Sequence, residues 1–293
     1  MPPAAPEPLS RMRVIVEAPA AAAWSASIRR AGRTIGFVPT MGALHQGHLA
    51  LIARARSECD AVCASIFVNP LQFNNPDDLR HYPRQLEQDS RLLEDAGCDL
   101  LFAPDEASIF HGHTPRTYDL GGLDEVLEGP SRPGHFQGVV NVVERLFHYV
   151  RPDAAFFGEK DRQQIAVIKH VARTLRWPER IVPCPTERAV DGLALSSRNQ
   201  RLSPEERAIA PVLYQCLRAV AEVAFRVPVA EARWAGETVL RTAPSVRLDY
   251  LEIADPLTLR PLSAWGDRTE AVALIAAWLG PVRLIDNVTL HAR

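Results

Sequence analysis

Two histidines three residues apart, His45 and His48, lie at the end of Gly36-Phe-Val-Pro-Thr-Met-Gly-Ala-Leu-His-Gln-Gly-His48, where a β-type run meets a glycine-containing turn and a helical pattern. Such a turn presents backbone N–H groups at a helix N-terminus, a ready site for phosphate. Imidazoles on one face of the first helical turn can donate to phosphate oxygens as negative charge moves onto a leaving group. Taken alone, H-x-G-H also reads as two capping or surface histidines, and a metal pair would lack an evident third ligand. Phe156-Phe-Gly-Glu-Lys-Asp161 follows another apolar run and sets an ammonium beside a backbone turn. There Lys160 can hold phosphates as a point charge and Asp161 can accept from ribose hydroxyls, although Gly-Glu-Lys-Asp is also a common solvated turn. Only Lys160 and Lys169 are lysines among 33 basic residues, so a lysine in a glycine-bearing loop stands out. A third segment, Asp191-Gly-Leu-Ala-Leu-Ser-Ser-Arg-Asn199, offers the hydroxyls of Ser196 and Ser197 and the guanidinium of Arg198 on a loop expected to be mobile.

Neutral amides supply a different chemistry. Ser65-Ile-Phe-Val-Asn-Pro-Leu-Gln-Phe73 ends an apolar run in Asn69 and Gln72, and Gln164 begins a helical stretch after the lysine loop. These groups can bind hydroxyls and carboxylates without carrying charge, or they can cap their own backbone, as Asn before Pro often does. Ser131-Arg-Pro-Gly-His135 is either a polar loop or an anion-contacting flap. Tyr82-Pro-Arg84 is either a helix entrance or part of the site.

The elements that must position these residues alternate. Strand-like runs over 34–38, 61–68, 99–103, 154–157 and 180–183 are separated by helical patterns over 49–59, 82–96, 139–150 and 162–175. This is βαβ alternation, so the expected fold class is α/β: a Rossmann-like, doubly wound, mostly parallel sheet with ligands outside the carboxyl ends of its strands. After Ser196 the pattern changes. Ser203-Pro-Glu-Glu206 reads as a helix start, and one long Ala/Leu/Arg-rich helix is expected after it. Strand-like runs over 246–254, 270–278 and 282–288 then suggest a smaller α+β unit, and the expected division is 1–186 and 187–293.

Composition narrows the class of partner. At 293 residues and 47% hydrophobic the chain can bury a substantial core, and 33 basic against 35 acidic side chains give no footprint for nucleic acid or an anionic membrane surface. The apolar stretch 271–282 is too short to span a bilayer, which needs about 20 residues. The proline- and alanine-rich opening lacks a basic n-region and an apolar h-region, so a cytoplasmic location is expected. Five dispersed cysteines, Cys59, Cys63, Cys98, Cys184 and Cys216, read as ordinary buried thiols.

Assembled in order, VPTMGALHQGH, SIFVNPLQF, YPR, SRPGHFQGV, FFGEKDRQQ, DGLALSSRN and RLIDN closely resemble the pantoate:β-alanine ligase family over nearly the whole of 14–287. More distantly, the chain is similar to nucleotidylyltransferases and class I aminoacyl-tRNA synthetases through its H-x-G-H turn and serine-arginine loop. The resemblance implies a two-step ligation in which pantoate attacks the α-phosphate of ATP, pyrophosphate leaves, and β-alanine then attacks the bound pantoyl adenylate. It implies His48 as main donor with His45 beside it, Lys160 and Arg198 as phosphate clamps, and Ser196 and Ser197 as hydroxyl donors. ATP contacts are implied for Met41, Gly42, Ala43, Leu44, Gln46, Gly47, Gly158, Glu159, Asp161, Glu187 and Leu195. Pantoate falls to Gln72, Gln164 and Met41, while Asn69, Tyr82 and Arg132 lie where β-alanine or a flap would be. Magnesium accompanies ATP, with Asp89 as its candidate protein ligand or else an ordinary helix-surface charge. A homodimer is also implied.

Glu187 departs from an apolar residue usual near adenine, Leu195 from methionine, Asn141 from threonine, and Asn74-Asn75 from a glycine-containing turn; none removes a proposed catalytic group. One rival reading is a nucleotidylyltransferase acting on a phosphorylated alcohol, but the neutral Asn69, Gln72 and Gln164 argue against such an acceptor. The other is a silent binding protein on the same scaffold, against which the intact His, Lys, Ser and Arg set argues.

Overall fold

The computed structural model describes residues 11–292; the proline- and alanine-rich opening at 1–10 lies outside them, as does residue 293. Six strands form a parallel sheet: β1 (Arg13–Ile15), β2 (Ile35–Thr40), β3 (Ala61–Ile66), β4 (Leu100–Phe102), β5 (Ala154–Gly158) and β6 (Arg180–Cys184), in spatial order β1-β4-β3-β2-β5-β6. Around it run α1 (Ala18–Arg30), α2 (Gln46–Glu58), α3 (Pro76–Arg80), α4 (Leu86–Asp95), α5 (Glu106–Ile109), α6 (Glu128–Ser131), α7 (His135–Val150) and α8 (Arg162–Thr174). The strands are continuous apolar runs because both faces are covered: Phe37, Cys63 and Phe157 pack toward α1 and α7, and Val38, Ala64 and Phe156 pack with Leu51 and Ile52 of α2. The five strands expected for this sheet are all present; β1 and the helices α1, α3, α5 and α6 are additional.

Strand order turns around at β2 and β5, which are neighbours whose chain connections leave in opposite directions. A doubly wound sheet opens its crevice at such a switch point. His45 and His48 follow β2, and Lys160 follows β5, so the chemistry-bearing loops flank one crevice because of topology alone.

The expected single helix after Ser203 is two, α9 (Pro204–Ile209) and α10 (Val212–Val223). Ser203 and Glu206 form the capping box that starts α9, and Pro211, which has no N–H to continue the ladder, separates the two. Then come α11 (Val229–Leu240) and an antiparallel sheet of β7 (Val246–Ala254), β8 (Glu270–Leu279) and β9 (Val282–His291). Strand β8 has two apolar faces. Ala271, Ala273, Ile275 and Ala277 pack with α10 and α11, whereas Val272 and Leu274 join Phe136, Val140, Val167 and Val171 from α7 and α8. That second face is an apolar seam between the two sheets' units. All five cysteines are free thiols, and four are buried. Among the described residues no helix is long and apolar enough to cross a membrane.

Candidate active site

The turn after β2 is built from unusual backbone and then locked. Gly42 and Ala43 take left-handed φ values of 82° and 51°. The strain at Ala43, a residue with a Cβ, is held by Asp89 of α4: its Oδ2 accepts from the Ala43 N–H and its Oδ1 from the Leu44 N–H, both at 2.8 Å. The Gly42 N–H donates to Thr40 Oγ1 at 3.1 Å, and Ser197 Oγ donates to the Ala43 carbonyl at 2.9 Å. The expectation that this turn offers free amides to phosphate is therefore corrected. Asp89 is corrected with it: fully buried, it is neither a surface charge nor on the wall of the cleft, and both its oxygens serve the turn. Gly42, Ala43 and Leu44 lie beneath the site as its framework.

The same local bonding determines what the histidines can do. His45 is the N-cap of α2, and its Nδ1 accepts from the Gly47 N–H at 3.1 Å. His48 Nδ1 accepts from the His45 N–H at 3.3 Å. An accepting Nδ1 requires the proton on Nε2. Both rings, with centroids 4.1 Å apart, are thus neutral imidazoles whose Nε2–H remains to donate. Burial reinforces this, lowering His45 to about 4 and His48 to about 3, with Lys160 adding to the first and His45 to the second. The capping reading holds at each Nδ1, and each Nε2–H is left free of that bond.

Beyond the histidines, a deep cavity of about 200 Å³ reaches down between β2, β3 and β5. Its apolar wall includes Phe67, Val139, Val142, Val143 and Phe157, and its polar groups include Gln72, Gln164, Tyr82, Arg132 and His135. Asn69 is almost wholly buried: Nδ2 donates to Gln72 Oε1 at 3.1 Å and to the Gly138 carbonyl at 3.0 Å, and Oδ1 caps Leu71. It orients Gln72 and itself lines the cavity. His135, read from sequence only as part of a flap, donates through Nδ1 to the Gln72 carbonyl at 2.8 Å, with its pKa lowered to about 3 by burial and Arg132. A Cβ at Gly138 would come within 2.1 Å of the Leu71 carbonyl, so only glycine lets α7 approach this amide cluster.

A wider cleft of about 1070 Å³ opens from this cavity toward the second sheet, and Arg132, Lys160, Asp161, Ser196 and Arg198 line both spaces. Lys160 Nζ lies 3.1 Å from Asp161 Oδ1. Burial alone would raise the Asp161 carboxyl, but Lys160, Arg198 and Arg132 hold it below the ordinary carboxylate range. Arg132 is lowered to about 10 by burial and by Arg198, its partner Glu128 lying 3.9 Å away. Arg198 donates to Asp78 Oδ2 at 2.8 Å, and Arg201 pairs with the other oxygen. Asp78, in α3, carries no sequence signal beyond an acidic pair after a proline. Gly158 lines the deep cavity, and a Cβ there would meet nothing within 4 Å, so packing does not demand this glycine. Glu187 also lines that cavity, while its carbonyl accepts from the Leu195 N–H at 2.9 Å. Leu195, Gln46 and Glu159, expected at the nucleotide, line neither space.

Comparison with known proteins bears on this arrangement. A family model described as Pantoate-beta-alanine ligase matches residues 13–289. A pantothenate synthetase from Thermus thermophilus is 52% identical over 259 residues, 88% of this chain and 93% of its own length. A crystal structure of pantothenate synthetase from that organism matches with a TM-score of 0.88 at 49% identity, covering 96% of this chain and 100% of the other. A pantoate-beta-alanine ligase from Francisella tularensis, solved with beta-gamma ATP and beta-alanine, matches with a TM-score of 0.78 at 36% identity over 94% of this chain and 97% of its own.

Proposed function

The chain belongs to the pantoate-beta-alanine ligase family, and from this we infer that its cleft joins pantoate to β-alanine using ATP through a pantoyl adenylate. One observation carries the assignment of roles: neutral imidazole donors after β2 and the Lys160 ammonium after β5 line one cavity together with the amides of Gln72 and Gln164 and a set of apolar side chains. The wall suits a small branched hydroxy acid, and uncharged amides can bind its hydroxyls and carboxylate without neutralising the nucleophile. Arg132, Lys160 and Arg198 line the same cavity, so it is family membership, and not a shortage of cations, that speaks against a phosphorylated acceptor.

In the first step a pantoate carboxylate oxygen bonds to the α-phosphorus of ATP while the bridging oxygen to the β-phosphorus departs with pyrophosphate. Charge grows on that leaving oxygen and on the non-bridging oxygens. His48 and His45 donate to them through Nε2–H, and Lys160 and Arg198 hold the phosphates. The imidazoles stay neutral, so they stabilise charge without exchanging a proton. In the second step the amine of β-alanine attacks the acyl carbon, AMP leaves, and the amine loses a proton, giving pantothenate. The Ser196 to Arg198 segment already rests on the histidine turn through Ser197, so gripping the phosphates requires only that Arg198 exchange Asp78 for ATP.

Gly158 and Asp161 are read as the ribose side, where the open space beside Gly158 supports close approach of a ligand. Magnesium bound to ATP neutralises phosphate charge and takes mainly phosphate and water oxygens. The chemistry of the wall fits this: among the described residues no three His, Cys, Asp or Glu cluster to hold an ion by themselves, and Asp161 is the carboxylate lining both spaces. A homodimer and a cytoplasmic location belong to the same reading. Pantoate-dependent exchange of labelled pyrophosphate into ATP, with magnesium and without β-alanine, tests the adenylating step. A folded, ATP-binding protein that neither exchanges pyrophosphate nor releases AMP with all three substrates would overturn the ligase reading.

A further inference from the structure

Lys160 sits in a single 3-10 turn, Glu159–Asp161, between β5 and α8. Its ammonium has one side-chain hydrogen-bond partner among the described residues, the adjacent Asp161, so its position follows from its backbone. That backbone is gripped from the other sheet. Asn287 of β9 is buried, and its Nδ2 donates to the Glu159 carbonyl at 2.9 Å and to the Lys160 carbonyl at 3.0 Å. One amide, with its two protons, thereby holds two successive peptide planes.

Asn287 is itself held. Its N–H donates to Asp286 Oδ1 at 2.7 Å, and Asp286 receives both arms of the Arg188 guanidinium at 2.6 and 2.9 Å. Arg188 stacks 3.9 Å from the Tyr214 ring centroid and donates to the Gly192 carbonyl at 3.1 Å. Arg188 and Gly192 belong to the hairpin that leads into Ser196 and Arg198. A single dipeptide of β9 thus touches both segments that carry phosphate ligands. An apolar residue at 287 would suit a strand but would leave two carbonyls of the lysine turn without donors.

We propose that Asn287 is a positioning residue for Lys160, setting the ammonium against the departing pyrophosphate. The proposal rests on the ligase reading of the cleft. The experiment is a double-mutant cycle of Asn287→Ala and Lys160→Ala, followed by pantoate-dependent pyrophosphate exchange, by the KM for ATP and β-alanine, and by thermal melting. The Asn287→Ala change is expected to lower kcat/KM for ATP by about 10- to 100-fold with the β-alanine KM unchanged. In the Lys160→Ala background it should cost less than about twofold, because the group it positions is gone.

Parental exchange by Asn287→Ala, or an undiminished further loss in the Lys160→Ala background, would overturn the proposal. Thr289→Val removes the neighbouring tie, the 3.0 Å bond from Arg162 to Thr289 Oγ1, and should retain parental exchange. A loss there equal to that of Asn287→Ala would point to general docking of β9 and also overturn it. If Asn287→Ala does not fold, Asn287→Asp, with a similar volume but an oxygen facing the two carbonyls, takes its place with the same expectations. A parent without exchange or AMP release would instead remove the ligase reading.

Discussion

The histidine turn and the cations opposite it, which the proposed mechanism sets on the same phosphates, are held in different ways. The histidines are held locally, each Nδ1 tied to a backbone amide within three residues, on a turn that the remote Asp89 and Ser197 fasten from beneath. The cations depend on distant segments: Arg198 is paired with Asp78, and the Lys160 turn hangs from Asn287. The difference teaches which part of the site is preorganised and which must exchange partners. Neutral donors need an exact direction, which short local bonds provide. Clamps that admit and release a triphosphate need partners that a phosphate can replace.

The largest effect expected is loss of the groups themselves. His48→Ala and Lys160→Ala should each lower pyrophosphate exchange by about 10²- to 10³-fold, with unchanged circular dichroism, since neither side chain is part of an apolar cluster. If both variants turned over at parental rates, the comparison would have no catalytic content.

Next comes the anchor. Asp89→Ala leaves two buried amides without acceptors and should destabilise the protein by about 3 kcal/mol, read by urea denaturation, with a concurrent drop in exchange. A role as magnesium ligand predicts the opposite signature: full stability and a raised magnesium requirement.

A smaller effect separates the two regions by pH. Because His45 and His48 are lowered to about 4 and about 3, exchange should be flat across pH 6 to 7, where an ordinary histidine near 6.5 would titrate. An inflection near 6.5 in kcat/KM would mean that an imidazolium acts. The sign for stability follows from proton uptake. Between these values and about 6.5 the unfolded chain binds more protons, so the histidines' contribution is complete above that range and is lost as pH falls through it toward 3.

The smallest effect is expected at the movable contact. Asp78→Asn removes the carboxylate paired with Arg198; if that pair competes with ATP, as the proposed mechanism has it, the KM for ATP should fall by up to about fivefold, the scale of a partly exposed ion pair. A rise in KM would show that Asp78 presents Arg198 to the nucleotide and does not merely hold it in reserve.

Much of this was legible in the chain. The parallel sheet showed because strands buried on both faces are uninterrupted apolar runs, and the histidine and lysine loops showed because each follows such a run at a glycine-bearing turn. What periodicity missed was equally physical. β1 is three residues long and largely exposed, which leaves no apolar pattern to read. Asn69 lines the cavity, as its place in the sequence suggested, but its bonds to Gln72, Gly138 and Leu71 depend on the approach of α7, which spacing does not show. Asp89 gave no sign of its work, because its partners lie 45 and 46 residues away.

By itself the sequence determined the alternating elements, the order of the polar segments along the chain and the chemical types gathered there, since these follow from local patterns of burial and from residue identity. Only the tertiary structure decided that Asp89 holds a turn, that both imidazoles are Nε2–H donors, that Asp78 occupies Arg198, and that β9 grips the lysine turn. Each of these depends on the direction and distance of a hydrogen bond, and most join segments remote in the chain, where spacing along the sequence carries no information.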